Sequence, residues 1–448
     1  MNLESIFKAY DVRGVYPDEF DEETAYRIGG AFARFVPDHT LLVGRDMRVS
    51  SEPLAVSFMK GVTDAGSNAI DLGLTSTDLV YFASGSKDLP GAMFTASHNP
   101  PQYNGIKFCR AGAAPVGEET GLVAIRAGAE AGLDPAPDPG SVTQLDLLED
   151  FATHLLGLID MSSMRPYTVV VDAANGMAGK VVPAVFDRLP VRLVPLYFEL
   201  DGSFPNHPAD PIQLSNLADL QETVLAEKAD VGLAFDGDAD RVFLVDERAE
   251  PVSGSLTTAL VARRILERHP GATIVHNVIC SRVVPEVIAE HGGKAVPSRV
   301  GHSFIKQLMA ETEAVFGGEH SGHYYFKDNF RADSGILAAL YVLETMSAEG
   351  KPLSELLAPL RRYSASGEIN IRVGDPKAVI GRIADSRTDG EVDRTDGMTV
   401  SYDDWWFNVR PSNTEPLLRL NVEANTEELM ERQRDELVAL VEKIEKGD

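Results

Sequence analysis

Hydrophobic positions along the chain gather in short apolar runs that end in Gly, Asp or Asn, and stretches with helical period lie between them. This alternation is the pattern of α/β units, in which a buried strand leads through a loop to a covering helix. Thr40-Leu41-Leu42-Val43-Gly44-Arg45-Asp46 reads as a strand leaving into a loop, with residues 51–66 as the helix after it. Thr168-Val169-Val170-Val171-Asp172-Ala173-Ala174-Asn175-Gly176 repeats that grammar, and Ala272-Thr273-Ile274-Val275-His276-Asn277-Val278 repeats it again. Three similar mixed α/β domains are the simplest account. Leu133-Asp134-Pro135-Ala136-Pro137-Asp138-Pro139-Gly140 continues neither helix nor strand, which sets a first boundary near 135–150. A second boundary is expected near 250. After a helical stretch at 353–362, the alternating segment Gly367–Val373 opens a smaller C-terminal α+β domain, which ends in an amphipathic helix from about 426 to 446. The expected units are 1–148, 149–250, 251–363 and 364–448.

At 448 residues the chain is too long for one ordinary core, so its size agrees with several domains. A formal charge of −27 argues against nucleic acid or an anionic membrane as a partner, because both select basic surfaces. No run of about 18 apolar residues is available to span a bilayer, and no basic segment followed by an apolar one opens the chain. The expected location is the cytoplasm. Cys109 and Cys280 are too few for a disulfide framework and read as ordinary small apolar residues. An acidic protein that binds an anionic substrate must concentrate cations in its cleft. Arg13, Arg45, Lys107, Arg241, Arg282 and Arg410 lie in or beside the motifs that follow.

Four segments carry chemistry. Ser97, in Thr95-Ala96-Ser97-His98-Asn99-Pro100, follows a strand-like Ala92–Thr95 and precedes a Pro pair that stops regular structure. It is thereby exposed at a strand end, where open α/β sheets carry their sites. As a nucleophile it needs a base or prior phosphorylation. Lys107 is placed to neutralise phosphate there or to move a proton. Asp236, Asp238 and Asp240 alternate, so an extended segment points three carboxylates one way, a set that suits a hard cation such as Mg²⁺. A calcium-loop reading fails because Arg241 stands where the sharp turn needs Gly and both flanks read as strands. In Gly318-Glu319-His320-Ser321-Gly322-His323, Glu319 and Ser321 suit sugar hydroxyls, while His323 and the separate His302 are candidates for proton transfer. Arg410-Pro411-Ser412-Asn413-Thr414 offers a guanidinium, two hydroxyls and an amide as a phosphate nest.

In this order and spacing, from Tyr10-Asp11-Val12-Arg13-Gly14 to Pro416, the segments resemble the α-D-phosphohexomutase family. The resemblance implies four domains around a central cleft, with the last closing over a bound sugar. It implies that Ser97 is carried as phosphoserine, with Mg²⁺ held by its phosphate and by Asp236, Asp238 and Asp240. Catalysis then involves Ser97, Lys107, His323, Arg241 and His302, and substrate contacts come from Arg13, Glu319, Ser321, Arg410, Ser412, Asn413 and Thr414. A hexose 1,6-bisphosphate is the implied intermediate and activator. His320 and Asn413 differ from the glucosamine-phosphate branch, and the Tyr324-Tyr325-Phe326 that follows His320 resembles the phosphomannomutase branch. The expected reaction interconverts mannose 6-phosphate and mannose 1-phosphate. Glucose preference, the identity of the base, and monomer against homodimer stay open. A metal-dependent sugar phosphatase is the rival from another class.

Overall fold

The computed structural model describes residues 2–387, 389–412 and 417–446. Four sheets organise it. The first is seven-stranded, in the order Val12–Val15, Tyr103–Arg110, Gly91–Phe94, Thr40–Arg45, Asn68–Leu74 and Val142–Gln144, with Ala114–Pro115 paired to Tyr103–Arg110. The second runs Pro251–Val252, Val242–Asp246, Val231–Phe235, Tyr167–Asp172, Val191–Leu196. The third runs Lys294–Ser298, Thr273–Asn277, Phe316–Gly318, Tyr324–Phe326, Ala332–Asp333. The fourth, Ser364–Arg372, Leu417–Ala424, Trp405–Pro411, Met398–Ser401, Glu391–Asp393, is antiparallel throughout. The chain is thus α/β with three mixed α/β domains and a smaller last domain. The second sheet reaches Val252, two residues past the expected break at 250, because Leu244 pairs with Val252 across a hairpin.

The first three sheets share one construction. Each has a parallel centre that turns antiparallel at one strand: Gly91–Phe94, Val231–Phe235 and Phe316–Gly318 pair in parallel on one side and antiparallel on the other. These strands are buried along their whole length, as a strand covered on both faces must be, which is why they read as unbroken apolar or glycine runs. The connection that follows the switch strand carries, in turn, Ser97, the Asp236–Asp240 set, and Glu319–His323. Three chemical loops therefore occupy equivalent places at the carboxyl end of a sheet, the side on which such folds bind ligands.

One core cluster joins the three domains, containing Leu42 and Met93 from the first, Val169 and Leu233 from the second, and Ile274 and Phe316 from the third. The last domain keeps its own core, from Val373 to Ile444. Arg282 binds it to the third domain by donating to the carbonyls of Tyr402 at 2.6 Å and Trp405 at 3.1 Å. Among the described residues, no helix is long and apolar enough to cross a membrane.

Candidate active site

The loop after Gly91–Phe94 brings Ser97 to the second domain, and contact with it leaves Ser97 buried rather than exposed as its strand-end place suggested. Its hydroxyl donates to Asp236 Oδ2 at 2.6 Å and accepts from Arg241 Nη2 at 2.7 Å. His98 Nδ1 lies 3.2 Å from the same hydroxyl and also meets Arg241. Ser97 has φ of 50°, left-handed backbone that a serine adopts at a cost of about 1 kcal/mol or more.

Asp236, Asp238 and Asp240 converge, with one oxygen from each within 4.8 Å of the others. The expected extended segment is not how they do so. The residues form a tight turn, and Ala239 at φ 62° reverses the chain so that the carboxylates close on one point. Lys107 spans two of them, its Nζ 2.7 Å from Asp238 Oδ2 and 2.6 Å from Asp240 Oδ2. Thr77 adds a hydrogen bond of 2.5 Å to Asp238 Oδ2.

The electrostatics follow from burial of all these groups. Burial opposes charge on Asp238, but Lys107 and Thr77 outweigh it and hold its carboxyl below the usual range. Burial and the neighbouring Asp238 push Asp240 up to about 6 and Asp236 well up. Burial would likewise lower Lys107, yet Asp238 and Asp240 hold it well above its ordinary value, so this lysine is a fixed cation and no proton acceptor near neutral pH. Asp238 Oδ1 and Asp240 Oδ1 are buried without hydrogen-bond partners. Carboxylates so crowded, with unsatisfied oxygens turned inward, fit a hard divalent cation.

The third loop meets this cluster through a bridge between Arg241 and His323. His323 Nε2 faces Asp240 Oδ1 at 3.8 Å and Asp333 Oδ2 at 4.0 Å, and Nδ1 lies 3.1 Å from Ser321 Oγ. Burial and Arg241 keep His323 neutral. Burial, then Lys306, lowers His302 to about 3. Glu319 is less available for sugar hydroxyls than its loop suggests. Tyr325 donates to Oε1 at 2.5 Å, and Asn277 and the Gly301 N–H donate to Oε2 at 3.2 and 3.3 Å.

From the last domain, Arg410 Nη2 pairs with Glu368 Oε2 at 2.8 Å, and Glu368 also lies 3.9 Å from His320 Nε2 of the sugar loop. The fourth segment therefore faces the third across the cleft. Ser412 continues that strand end, its N–H donating to Leu417 O at 2.8 Å, while Asn413 and Thr414 lie outside the described residues. Arg13 reaches the Ser97 loop through Asn99 and is held by Asp11.

Comparison with known proteins agrees with this arrangement domain by domain. "Phosphoglucomutase/phosphomannomutase, alpha/beta/alpha domain I" matches residues 4–132, domain II 149–250, domain III 253–363 and the C-terminal domain 368–440. The chain belongs to the phosphoglucomutase/phosphomannomutase family. It is 40% identical to a phosphomannomutase of Salmonella montevideo over 98% of this chain and 100% of that one. It is 39% identical to a phosphomannomutase of Escherichia coli K12 over 97% of this chain and 98% of that one. A crystal structure of a phosphoglucomutase/phosphomannomutase family protein from Burkholderia thailandensis superposes with a TM-score of 0.91 at 32% identity, covering 100% of this chain and 98% of that one.

Within this family framework, two of the cations beside the motifs have partners outside the four chemical segments. Arg45 pairs with Asp71 at 3.1 Å, and Arg282 clasps the last domain. Sequence reasoning passed over several others. His98 was legible, being adjacent to Ser97. Glu368, Asn277, and the buried pair of Lys306 and Asp333 at 2.8 Å become visible only when distant elements meet.

Asp78 couples the first domain to the third, accepting from Ser76 and, at 2.8 Å, from Ser334. Burial pushes its carboxyl up to about 7 from the ordinary 3.8. The folded state thus holds this proton more tightly than the unfolded chain. Its contribution is intact below about pH 4 and declines as pH rises to 7, by up to about 4 kcal/mol. Asp78→Asn removes that slope: urea midpoints from pH 4 to 8 should fall less steeply than in the wild type, and equal slopes would show that Asp78 does not titrate there.

Proposed function

We propose that this protein interconverts mannose 6-phosphate and mannose 1-phosphate by phosphoryl transfer to and from Ser97, with glucose phosphates as the next substrates. The observation that carries the reading is Ser97 Oγ at 2.6 Å from Asp236 and 2.7 Å from Arg241, beside a crowded carboxylate set and across from Arg410. The same reading gives one site loop to each of four units, 1–148, 149–250, 251–363 and 364–448.

In the working enzyme Ser97 carries the phosphoryl group. A free sugar hydroxyl attacks phosphorus, a new P–O bond forms to the sugar, and the bond to Ser97 Oγ breaks. Arg241 and Lys107 face the charge that spreads over the transferring oxygens. His323, kept neutral, takes the sugar hydroxyl proton while the departing Ser97 oxygen takes up one proton from water, so Ser97 leaves as the hydroxyl; the return transfer reverses both movements. The resulting hexose 1,6-bisphosphate turns over in the cleft, and its other phosphate passes to Ser97. Arg410 and Ser412, with Asn413 and Thr414, hold whichever phosphate is distal. Added bisphosphate recharges any dephosphorylated Ser97 and so acts as activator. Asp236, Asp238 and Asp240 would hold Mg²⁺, which when bound neutralises phosphate charge as a Lewis acid.

The test is a coupled assay with Mg²⁺ and a trace of hexose 1,6-bisphosphate, comparing mannose, glucose and glucosamine 1-phosphates. Isomerisation led by mannose 1-phosphate is expected. Equal turnover of glucose 1-phosphate would make the enzyme a dual-specificity mutase, and release of inorganic phosphate without isomer would replace this reading with a phosphatase.

A further inference from the structure

Arg48 lies in the connection between the strand Thr40–Arg45 and the helix Ser51–Asp64, and its side chain is fully buried. Its guanidinium has five N–H donors in a rigid fork, and all five have acceptors. Nη1 donates to Pro100 O at 2.8 Å and Tyr103 O at 3.0 Å. Nη2 donates to Ser97 O at 2.8 Å and Asn99 O at 2.7 Å. Nε donates to Asp46 Oδ2 at 3.2 Å. Asp46 is itself fixed by the Arg48 N–H at 3.0 Å and the Ser51 hydroxyl at 2.5 Å. Four of the five acceptors are therefore main-chain carbonyls, three in the loop that carries Ser97 and the fourth, Tyr103 O, where the next strand begins.

Four carbonyl dipoles turned toward one point repel each other and would spread without a cation among them. The loop is also strained at Ser97, whose φ is 50°. The second domain presses on the same place. A Cβ at Gly237 would lie 2.5 Å from Ser97 O, and the Phe204 ring sits 5.1 Å from the Arg48 guanidinium. Ser97 O is thus gripped by Arg48 on one side and crowded by Gly237 on the other.

We infer that Arg48 is a positioning residue for phosphoryl transfer, holding the Ser97 loop by its backbone so that the Ser97 oxygen stays aimed at the Asp236–Arg241 cluster. Because the grip is on carbonyls, it is the same whether Ser97 is a free hydroxyl or a phosphate ester, which a cycle that alternates between the two requires. Asp46 neutralises the guanidinium, and Phe204 ties its place to the seating of the second domain. The inference rests on Ser97 as the phosphoryl carrier, and its test separates the two.

Wild type is first incubated with glucose 1,6-bisphosphate, and Ser97 phosphorylation is read by mass spectrometry. Absence of the phosphate there overturns the carrier reading itself. With that step secured, Arg48→Lys keeps the charge and most of the volume but lacks the fork. Its kcat with mannose 1-phosphate should fall about 100-fold with KM within about twofold, measured well below its melting temperature. Arg48→Ala opens a guanidinium-sized space beside the same carbonyls, so dilute guanidinium chloride should raise its kcat while equal sodium chloride does not. Folded Arg48→Lys with wild-type kcat, or folded Arg48→Ala that guanidinium leaves unchanged, overturns the inference. If the alanine variant is insoluble, the kcat and KM of the lysine variant decide alone.

Discussion

Ser97→Ala is expected to lower mutase turnover by on the order of 10⁵-fold, because it removes the hydroxyl proposed to carry the phosphoryl group. Among the described residues, Ser97 Oγ is the hydroxyl bonded to both Asp236 and Arg241. The fold should survive. The substitution removes one small polar atom, and Arg241 keeps its 3.1 Å contact with Asp236 Oδ2. The backbone grip of Arg48 on this loop does not involve the hydroxyl either. A loss of about 1 kcal/mol is the scale for the hydrogen bonds removed. The checks are a coupled assay, a thermal melt, and mass spectrometry after exposure to glucose 1,6-bisphosphate. Turnover within tenfold of wild type would end the phosphoserine mechanism.

Lys107→Met should have the next largest effect, on activity and stability together. Lys107 is the cation that spans Asp238 and Asp240, and its side chain is only 8% exposed. Removing it leaves buried carboxylates without their partner, which costs about 3 kcal/mol or more. In the proposed mechanism it would also remove a charge facing the transferring phosphate, worth on the order of 10³-fold in turnover. The direction with metal distinguishes this from a packing defect. Mg²⁺ should raise the melting temperature of Lys107→Met more than that of wild type, since the carboxylates then lack their internal cation. Equal metal stabilisation and near-normal turnover would remove Lys107 from the site. The pH profile adds a second discriminator: a lysine held protonated contributes no limb near neutral pH, whereas loss of a limb in Lys107→Met would make it the proton carrier.

Most of the candidate chemistry was readable along the chain because each loop is continuous in sequence. Ser97, Asp236–Asp240 and Glu319–His323 follow buried strands within three residues, and Arg410–Ser412 forms the end of the strand Trp405–Pro411, places where a polar cluster has few purely structural reasons to be. Their equivalence was not readable. It depends on each switch strand pairing in parallel on one side and antiparallel on the other, a property of the sheet rather than of any segment. The Asp turn was misread as extended because alternation suggests a strand, whereas a left-handed Ala239 brings the carboxylates together through a reversal. Glu319 reads as a group for sugar hydroxyls, and its bonds to Tyr325, Asn277 and Gly301 are not readable from the loop.

Local order alone therefore settled the fold class, the order of the chemical loops and the kinds of group in each, since apolar periodicity and turn residues act over a few neighbours. Partnership and protonation belong to the folded chain. Lys107 meets Asp238 across 131 residues, Arg48 meets Ser97 across 49, and Glu368 meets Arg410 across 42. Such contacts exist only when packing removes water and brings charges within a few ångströms, and the same exclusion of water holds Lys107 charged and His323 neutral.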